Sequence, residues 1–430
     1  MPFDQTAYRP QRIAVIGGGI SGLAAARLLS PHHAITLFES ERRLGGHART
    51  VLAGHRGDQA VDTGFIVFNY ANYPHFTAML RDLDVPVEKS EMSFGVSLRG
   101  GQLEYALNSG NALFGQRRNI LNPGFYRMLR EILRFNANVE AELERAGGCS
   151  IHELLDRMGF GHRFRDDYLF PICGAIWSTE TGSIGDFPAQ ALVGFMRNHA
   201  LMSNGGQHQW WTVSGGSRSY VDRLVASLTA QGVAIRAGTQ VQAVRRDALG
   251  VVVAARGCAP ERFDQVIFAT HADQSLSLLL DADPGERAAL GAVRFQPNRA
   301  VLHCDPQVMP RRRRCWSAWV YTSGRAAKSS GKVGVSYWMN RLQNIPESDP
   351  MFVTLNPDAT IPDRLIYDEI SFDHPVFVQA ALDAQGRIAG LQGRNGTWHV
   401  GAWLRNGFHE DGFASAVRVA RRLAPRKVSP

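Results

Sequence analysis

The chain has 430 residues, of which 44% are hydrophobic and 20% charged, and its formal net charge is +8. That length exceeds one simple core and predicts two connected domains with the composition of an ordinary folded protein. No run approaches the roughly 18 consecutive apolar residues of a membrane span, and five scattered cysteines, none spaced as CxxC, exclude a disulfide framework or a zinc site.

In chain order, MPFDQTAYRPQR lacks the apolar stretch of a secretory signal, so the cytoplasm is the expected location. Ile13 to Ile16 is a short apolar run ended by glycines, which predicts a buried strand. Leu23 to Leu29 reads as an alanine-rich helix ending near Ser30-Pro31, and Ala34 to Phe38 as the next strand, closed by Glu39. Together they form a βαβ unit. Gly17, Gly19 and Gly22 supply G-x-G-x-x-G spacing between strand and helix, with Ile20 and Ser21 inside the motif. Such glycines give a tight turn, close backbone approach to a pyrophosphate and tight helix packing, and the helix N-terminus offers aligned N–H groups. Glu39, about 20 residues on, is placed to accept hydrogen bonds from ribose hydroxyls. The chain carries one such fingerprint, so a single dinucleotide is expected.

Helical periodicity covers Tyr126 to Arg145 and the stretch around Ile151 to Leu169. Strand-like runs return at Val233–Ile235, Gln240–Val244, Val251–Ala254 and Gln265–Ala269, and Gly331 to Val376 alternates as a further sheet. The tail holds a strand at Thr397–Val400, a glycine-broken turn and a helix from about Gly412 to Leu423. The predicted architecture is α/β. A Rossmann-type nucleotide domain is assembled from residues 1–65, 212–275 and 395–430, and an interleaved α+β substrate domain from 66–211 and 276–394. Arg311-Arg312-Arg313-Arg314 reads either as a solvated loop after Pro310 or as a peripheral contact with an anionic membrane surface at the inner face. No segment has the pattern of a nucleic-acid module.

Several motifs narrow the cofactor. Arg43-Leu44-Gly45-Gly46 resembles the R-x-G-G turn of the flavin amine oxidase superfamily, whose arginine fixes the region near the cofactor phosphates. His47 stands where that superfamily often has arginine. Asp62-Thr63-Gly64 resembles the D-x-G segment that passes the flavin ring, which assigns Thr63 and Gly64 to the site. GTQVQAV resembles the segment in which that superfamily uses main-chain atoms to hold adenine, which assigns Val241 to the site. HVGAWLRNGFHEDGFASAVRVA resembles the closing flavin motif, with Gly412 and Phe413 at a helix N-terminus aimed at the ring. Gly401 is followed by Ala402 instead of the common acidic residue, and no cysteine lies there, so the resemblance implies non-covalent FAD in a glutathione-reductase-like, amine oxidase-like domain.

LGGHARTV, VDTGFIVFNYANYPHFTAMLRDLDV, EMSFGVSL, PICGAIWSTE, QWWTVSGGSRSYV and GFHEDGFASA resemble a more specific group. This group contains bacterial predicted NAD/FAD-binding proteins and the oxidase-like N-terminal half of plant cyclopropane fatty acid synthases. The resemblance implies an FAD-dependent oxidoreductase that passes hydride from an apolar, fatty-acyl or lipid substrate to flavin N5. It also implies a functional partner of the cyclopropane-synthase type. Double-bond isomerisation, amine oxidation and a non-enzymatic lipid-binding scaffold are the alternatives.

Two side chains are candidate catalysts. Glu180, after Trp177-Ser178-Thr179, would act as base in an apolar cleft, or else is a surface carboxylate or helix cap. His409 would shuttle protons near the flavin, or else caps the last helix together with Asp411. Trp177, Tyr70 and Tyr73 are candidates to shape the pocket. No metal site is predicted.

Overall fold

The computed structural model describes residues 9–177, 181–198, 202, 208–324, 334–357 and 359–424. Glu180 lies outside the described residues. Strand Arg12–Ile16 is buried at every position after the first and is the middle strand of a five-stranded sheet. Across that sheet the order is Ala234–Arg236, Ala34–Phe38, Arg12–Ile16, Gln265–Phe268 and Thr397–His399, all paired in parallel. Parallel neighbours need crossovers and cover on both faces, which explains the nearly unbroken apolar runs in these strands. Helix Ile20–Leu29 makes the first crossover, and the last helix, His409–Leu423, packs against it.

The expected start of that last helix near Gly412 is corrected to His409. The Asp411 carboxylate accepts hydrogen bonds from the backbone N–H groups of Phe408 (3.1 Å) and Asn406 (3.2 Å), which pulls the turn into place ahead of the helix. Gly412 therefore sits inside the first turn. A Cβ there would meet Ser21 Oγ at 2.7 Å and Ile20 Cγ2 at 3.1 Å, so the glycine sets the helix–helix approach.

A second body holds a seven-stranded sheet in the order Ile366–Val376, Arg294–His303, Phe352–Leu355, Gly334–Trp338, Trp319–Thr322, Phe94–Leu98 and Leu103–Ala106. Beside it lie helices Pro123–Ala146, Ile151–Arg157, Phe170–Trp177 and Ala189–Asn198. The long helix begins three residues before the periodicity that predicted it. Asn122 Oδ1 accepts from the N–H groups of Gly124 and Phe125, and Pro123 occupies the first turn. The stretch after Ile151 is broken at Gly159 (φ +64°) and re-enters through a π-helical turn, Arg165–Leu169.

The arginine run is folded onto the protein. Glu104, fully buried, accepts from the N–H of Arg311 (2.8 Å) and from Arg312 Nη1 (2.7 Å). The Arg313 guanidinium lies 3.9 Å from the Trp316 ring centre and pairs with Glu347 at 2.8 Å. Among the described residues no helix is long and apolar enough to cross a membrane.

One buried ion network joins strand Val241–Asp247 to residues 281–286. Arg246, on the antiparallel strand Val241–Asp247, makes a two-point contact with Glu286 (2.5 and 2.8 Å) and bonds Asp281 at 2.8 Å. The Arg246 and Glu286 side chains are only 4% and 2% exposed. Removing one partner of such a pair strands the other charge. Arg246→Ala should lower stability by about 3–5 kcal/mol in denaturant unfolding, and Arg246→Met combined with Glu286→Leu should recover most of that loss.

Candidate active site

The site begins at backbone level, where two glycine segments touch. Gly17 has φ +108°, and a Cβ there would meet the Ala269 carbonyl at 2.7 Å. A Cβ on Gly22 would fall 1.9 Å from the Gly17 oxygen, so the turn is too tight for a side chain at either glycine. Gly45 N–H donates to the Gly18 carbonyl (2.8 Å), and a Cβ on Gly46 would lie 3.1 Å from Gly19 Cα. Helix Ile20–Leu29 starts at this contact and directs its unpaired N–H groups outward from it.

From that contact a cavity of about 1370 Å³ runs through the protein. Its wall includes Gly17, Gly19, Ile20, Ser21, Glu39, Gly45, Gly46, His47, Thr63, Gly64, Val241 and His409 of the predicted residues. Gly22, Arg43, Gly412 and Phe413 do not line it. Gly22 is spent on packing against Gly17 and Gly412 on the approach to helix Ile20–Leu29, while Phe413 is buried against the His75 ring. Arg43 holds the turn from behind: its guanidinium donates to the carbonyls of Gly46 (2.9 Å) and Ala48 (3.0 Å) and to Glu41 (3.2 Å). Tyr73 and Trp177 line the cavity, whereas Tyr70 is 53% exposed and packs edge-on against Trp211.

Glu39 Oε2 accepts from Gly18 N–H (2.6 Å) and Oε1 from Glu41 N–H (2.8 Å), so the carboxylate is fixed at the end of its strand. Oε1 also accepts from the Ser40 hydroxyl (3.0 Å), which leaves Oε2 the lone-pair capacity for a ribose hydroxyl. Asp62, with no exposed surface, binds the hydroxyl groups of Thr50 (2.6 Å) and Ser217 (2.7 Å), Ser217 N–H (2.9 Å) and Gln343 Nε2 (2.9 Å). Burial still pushes its carboxyl up to about 6. Its role is to knot three distant segments, leaving Thr63 and Gly64 at the wall. Arg49 fastens the same turn to the large sheet, bonding Thr63 Oγ1 at 3.1 Å and Asp368 at 2.5 and 3.1 Å.

His409 opens the last helix with its ring stacked 3.8 Å from Phe65. Its Nε2 lies 2.6 Å from the Tyr220 hydroxyl. Burial holds the Tyr220 phenol well above its ordinary value, so it stays protonated and donates to Nε2. The imidazole hydrogen then sits on Nδ1, and burial pushes the ring's pKa down to about 3, so it is neutral. The arrangement suits a hydrogen-bond donor better than a shuttle that must become charged. The neighbouring Glu410 carboxylate accepts from the N–H groups of His75 (3.0 Å) and Phe76 (2.9 Å), capping helix Pro74–Asp82.

The sequence reading missed the contribution of strand Ile366–Val376, whose Phe372 and His374 line the cavity beside His47. The signal was two-residue alternation, which puts Asp368, Phe372 and His374 on one face of the strand. The wall also carries the aromatic side chains of Phe65, Trp177, Phe195, Trp319, Tyr337 and Phe377.

The fold recurs in solved structures. A CLA-producing fatty acid isomerase from P. acnes superposes with TM-score 0.66 at 16% identity, covering 96% of this chain and 98% of that one. Cyclohexylamine oxidase from Brevibacterium oxydans IH-35A gives TM-score 0.68 at 13% identity, covering 96% and 99%. A putrescine oxidase mutant from a redesign of cofactor binding gives 0.67 at 14%, covering 96% and 98%. No curated protein matches the chain significantly.

FAD fits this site. The facing glycines leave a side-chain-free cradle for a diphosphate, Glu39 stands at the ribose end, and Val241 lines the wall beyond it. Glu39→Ala should weaken FAD binding by about 1.5–3 kcal/mol, roughly ten- to more than a hundredfold in Kd, in a fluorescence titration. Burial raises the Glu410 carboxyl to about 7, so its folded form holds a proton more tightly than the unfolded chain does. Its contribution to stability is then complete below the ordinary carboxyl range and is lost as pH rises toward about 7. Thermal unfolding of Glu410→Gln should accordingly fall less over that window than that of the parent. The family model for flavin-containing amine oxidoreductases matches residues 20–332, and with this cradle in place the chain belongs to that family.

Proposed function

We propose that this FAD-dependent oxidoreductase acts on an apolar substrate of acyl-chain character, held in the aromatic half of the cavity. The observation that carries the reading is the chemistry of the wall. Among the described residues lining the cavity there is no lysine or arginine, and the carboxylates other than Glu39, namely Glu91 and Asp373, are exposed. Burial holds the His409 ring uncharged. A bare ammonium placed deep in this chamber would lose hydration without gaining a counter-charge. A hydrocarbon chain would exchange water for aromatic contact at about 25 cal/mol per Å² buried.

FAD supplies a hydride acceptor when bound. The residues of this chain position the substrate and keep water away. Trp177 and Phe195, with ring centres 4.9 Å apart, form one side of the chamber, and Phe195 stacks on Phe408 at 4.9 Å, next to the last helix. Phe65 shields the face of His409, whose Nε2 is occupied by the Tyr220 hydroxyl at the start of the last helix. The shared fold with a fatty acid isomerase supports testing acyl chains first. A functional partner resembling a cyclopropane fatty acid synthase belongs to the same proposal, on the sequence resemblance alone.

The test is anaerobic mixing of the holoprotein with a panel of acyl lipids and primary amines, following loss of oxidised-flavin absorbance and the mass of the product. Bleaching by an acyl lipid with a product two hydrogens lighter is the expected result. A product of unchanged mass with a moved double bond keeps the substrate class and replaces net oxidation with isomerisation. Bleaching by amines alone overturns the proposal. Trp177→Ala should raise KM for the acyl substrate about tenfold or more, the effect of losing a large apolar contact of a few kcal/mol.

A further inference from the structure

A group of histidines on the cavity wall lies beside the glycine cradle and has no part in the reading above. His47 follows Gly46, and Gly46 rests against Gly19. His271 follows Thr270, whose Cγ2 would lie 3.4 Å from a Cβ on Gly17. The two imidazoles thus lie side by side next to the 17–19 loop, with ring centres 6.3 Å apart. His374 adds a third ring 5.6 Å from His47. All three line the cavity.

The rings are held, not loose. His47 stacks on Phe372 at 4.8 Å and His271 on Phe295 at 4.2 Å. Asn298 Nδ2 donates to His374 Nδ1 at 2.8 Å, which leaves the His374 hydrogen on Nε2. The ring nitrogens of His47 have no hydrogen-bond partner among the described residues.

An FAD diphosphate would bring negative charge to the 17–19 loop, and the wall described here offers no permanent cation to meet it. Arg43, the nearest guanidinium on the turn, is engaged by two carbonyls and Glu41. Backbone N–H groups supply partial charge. We propose that His47, His271 and His374 act as one counter-charge for the FAD diphosphate, and that FAD binding draws a proton into this cluster.

The groups facing the cluster set the direction. Burial first, then His374, His271, His409 and Arg43, holds His47 well below the usual imidazole value. Burial lowers His374 to about 4, with His271 adding to the effect. Burial lowers His271 as well, while Asp273 and Asp373 oppose the shift. The free cluster is therefore neutral near pH 7, and an arriving anion favours its charged form. Rings this close repel one another once charged, so the cluster takes up about one proton, shared among its members. Affinity for FAD should rise as pH falls.

This inference rests on FAD as the cofactor, and titration calorimetry of FAD into the apoprotein tests the two separately. In buffers of different ionisation enthalpy at about pH 7, the observed heat should vary with the buffer in the sense of proton uptake, by about one proton per FAD. Between about pH 6 and about pH 8, Kd should weaken by up to about tenfold per pH unit. His47→Gln and His374→Gln should each reduce that slope while still binding FAD at high pH, and His47→Arg should bind tightly with a flat profile. Heat independent of buffer, with Kd flat in pH in the unmodified protein, overturns the proposal and leaves FAD in place. Absence of FAD binding at any pH would remove the cofactor assignment itself.

Discussion

The structure depends on one constraint: two stretches of backbone meet where no side chain fits. Gly45 bonds to Gly18, and Gly46 lies against Gly19, so the turn after the second strand is locked to the turn after the first. Everything around the contact serves to keep it open on one side. Arg43 holds the outer carbonyls of the second turn, Glu39 fixes the N–H of Gly18, and Ala269 closes the back of the first turn. A methyl group on Gly18 would strike Leu44, one on Gly45 the Ala48 carbonyl and one on Gly46 the Gly19 backbone, so the two turns could not close on each other.

Charge is distributed to match. The chain carries a formal +8, yet no arginine or lysine lies among the described residues of the cavity wall. The Arg311–Arg314 run illustrates this, since two of its backbone N–H groups and the Arg312 guanidinium satisfy the buried carboxylate of Glu104. On the cavity wall, His409 and His374 are held in neutral form by burial alone or nearly so. A dry, weakly charged interior strengthens the few polar contacts that remain in it.

The cofactor cradle was legible in the sequence because its determinants are local. Strand, glycines, helix, strand and Glu39 fall within residues 12–39, and each piece carries its own signal in period or turn chemistry. The substrate side was not legible in the same way. Arg49 meets Asp368 across 319 residues of sequence, and His47 meets Phe372 and His374 across a comparable span. No periodicity reports which face of a distant strand will cover a given turn. Gly412 and Phe413 show the related limit: the glycine was read as a cofactor contact, but its small size is used for packing on Ser21 and Ile20. Local pattern identified the right segment and could not say which way it faced.

The central sheet has a further consequence for how the chain acquires its fold. Its neighbouring strands come from residues 12–38, 234–268 and 397–399, and the helix that covers the first crossover is the last one in the described chain. During synthesis the apolar strands Arg12–Ile16 and Ala34–Phe38 emerge first and wait for partners that follow hundreds of residues later. Non-local parallel pairing of this kind is slow and leaves sticky edges exposed in the meantime. A ligand that binds only the completed cradle pulls the equilibrium toward it by mass action. The cellular supply of FAD thereby bears on how much of this protein survives its own assembly, as well as on how much of it is active.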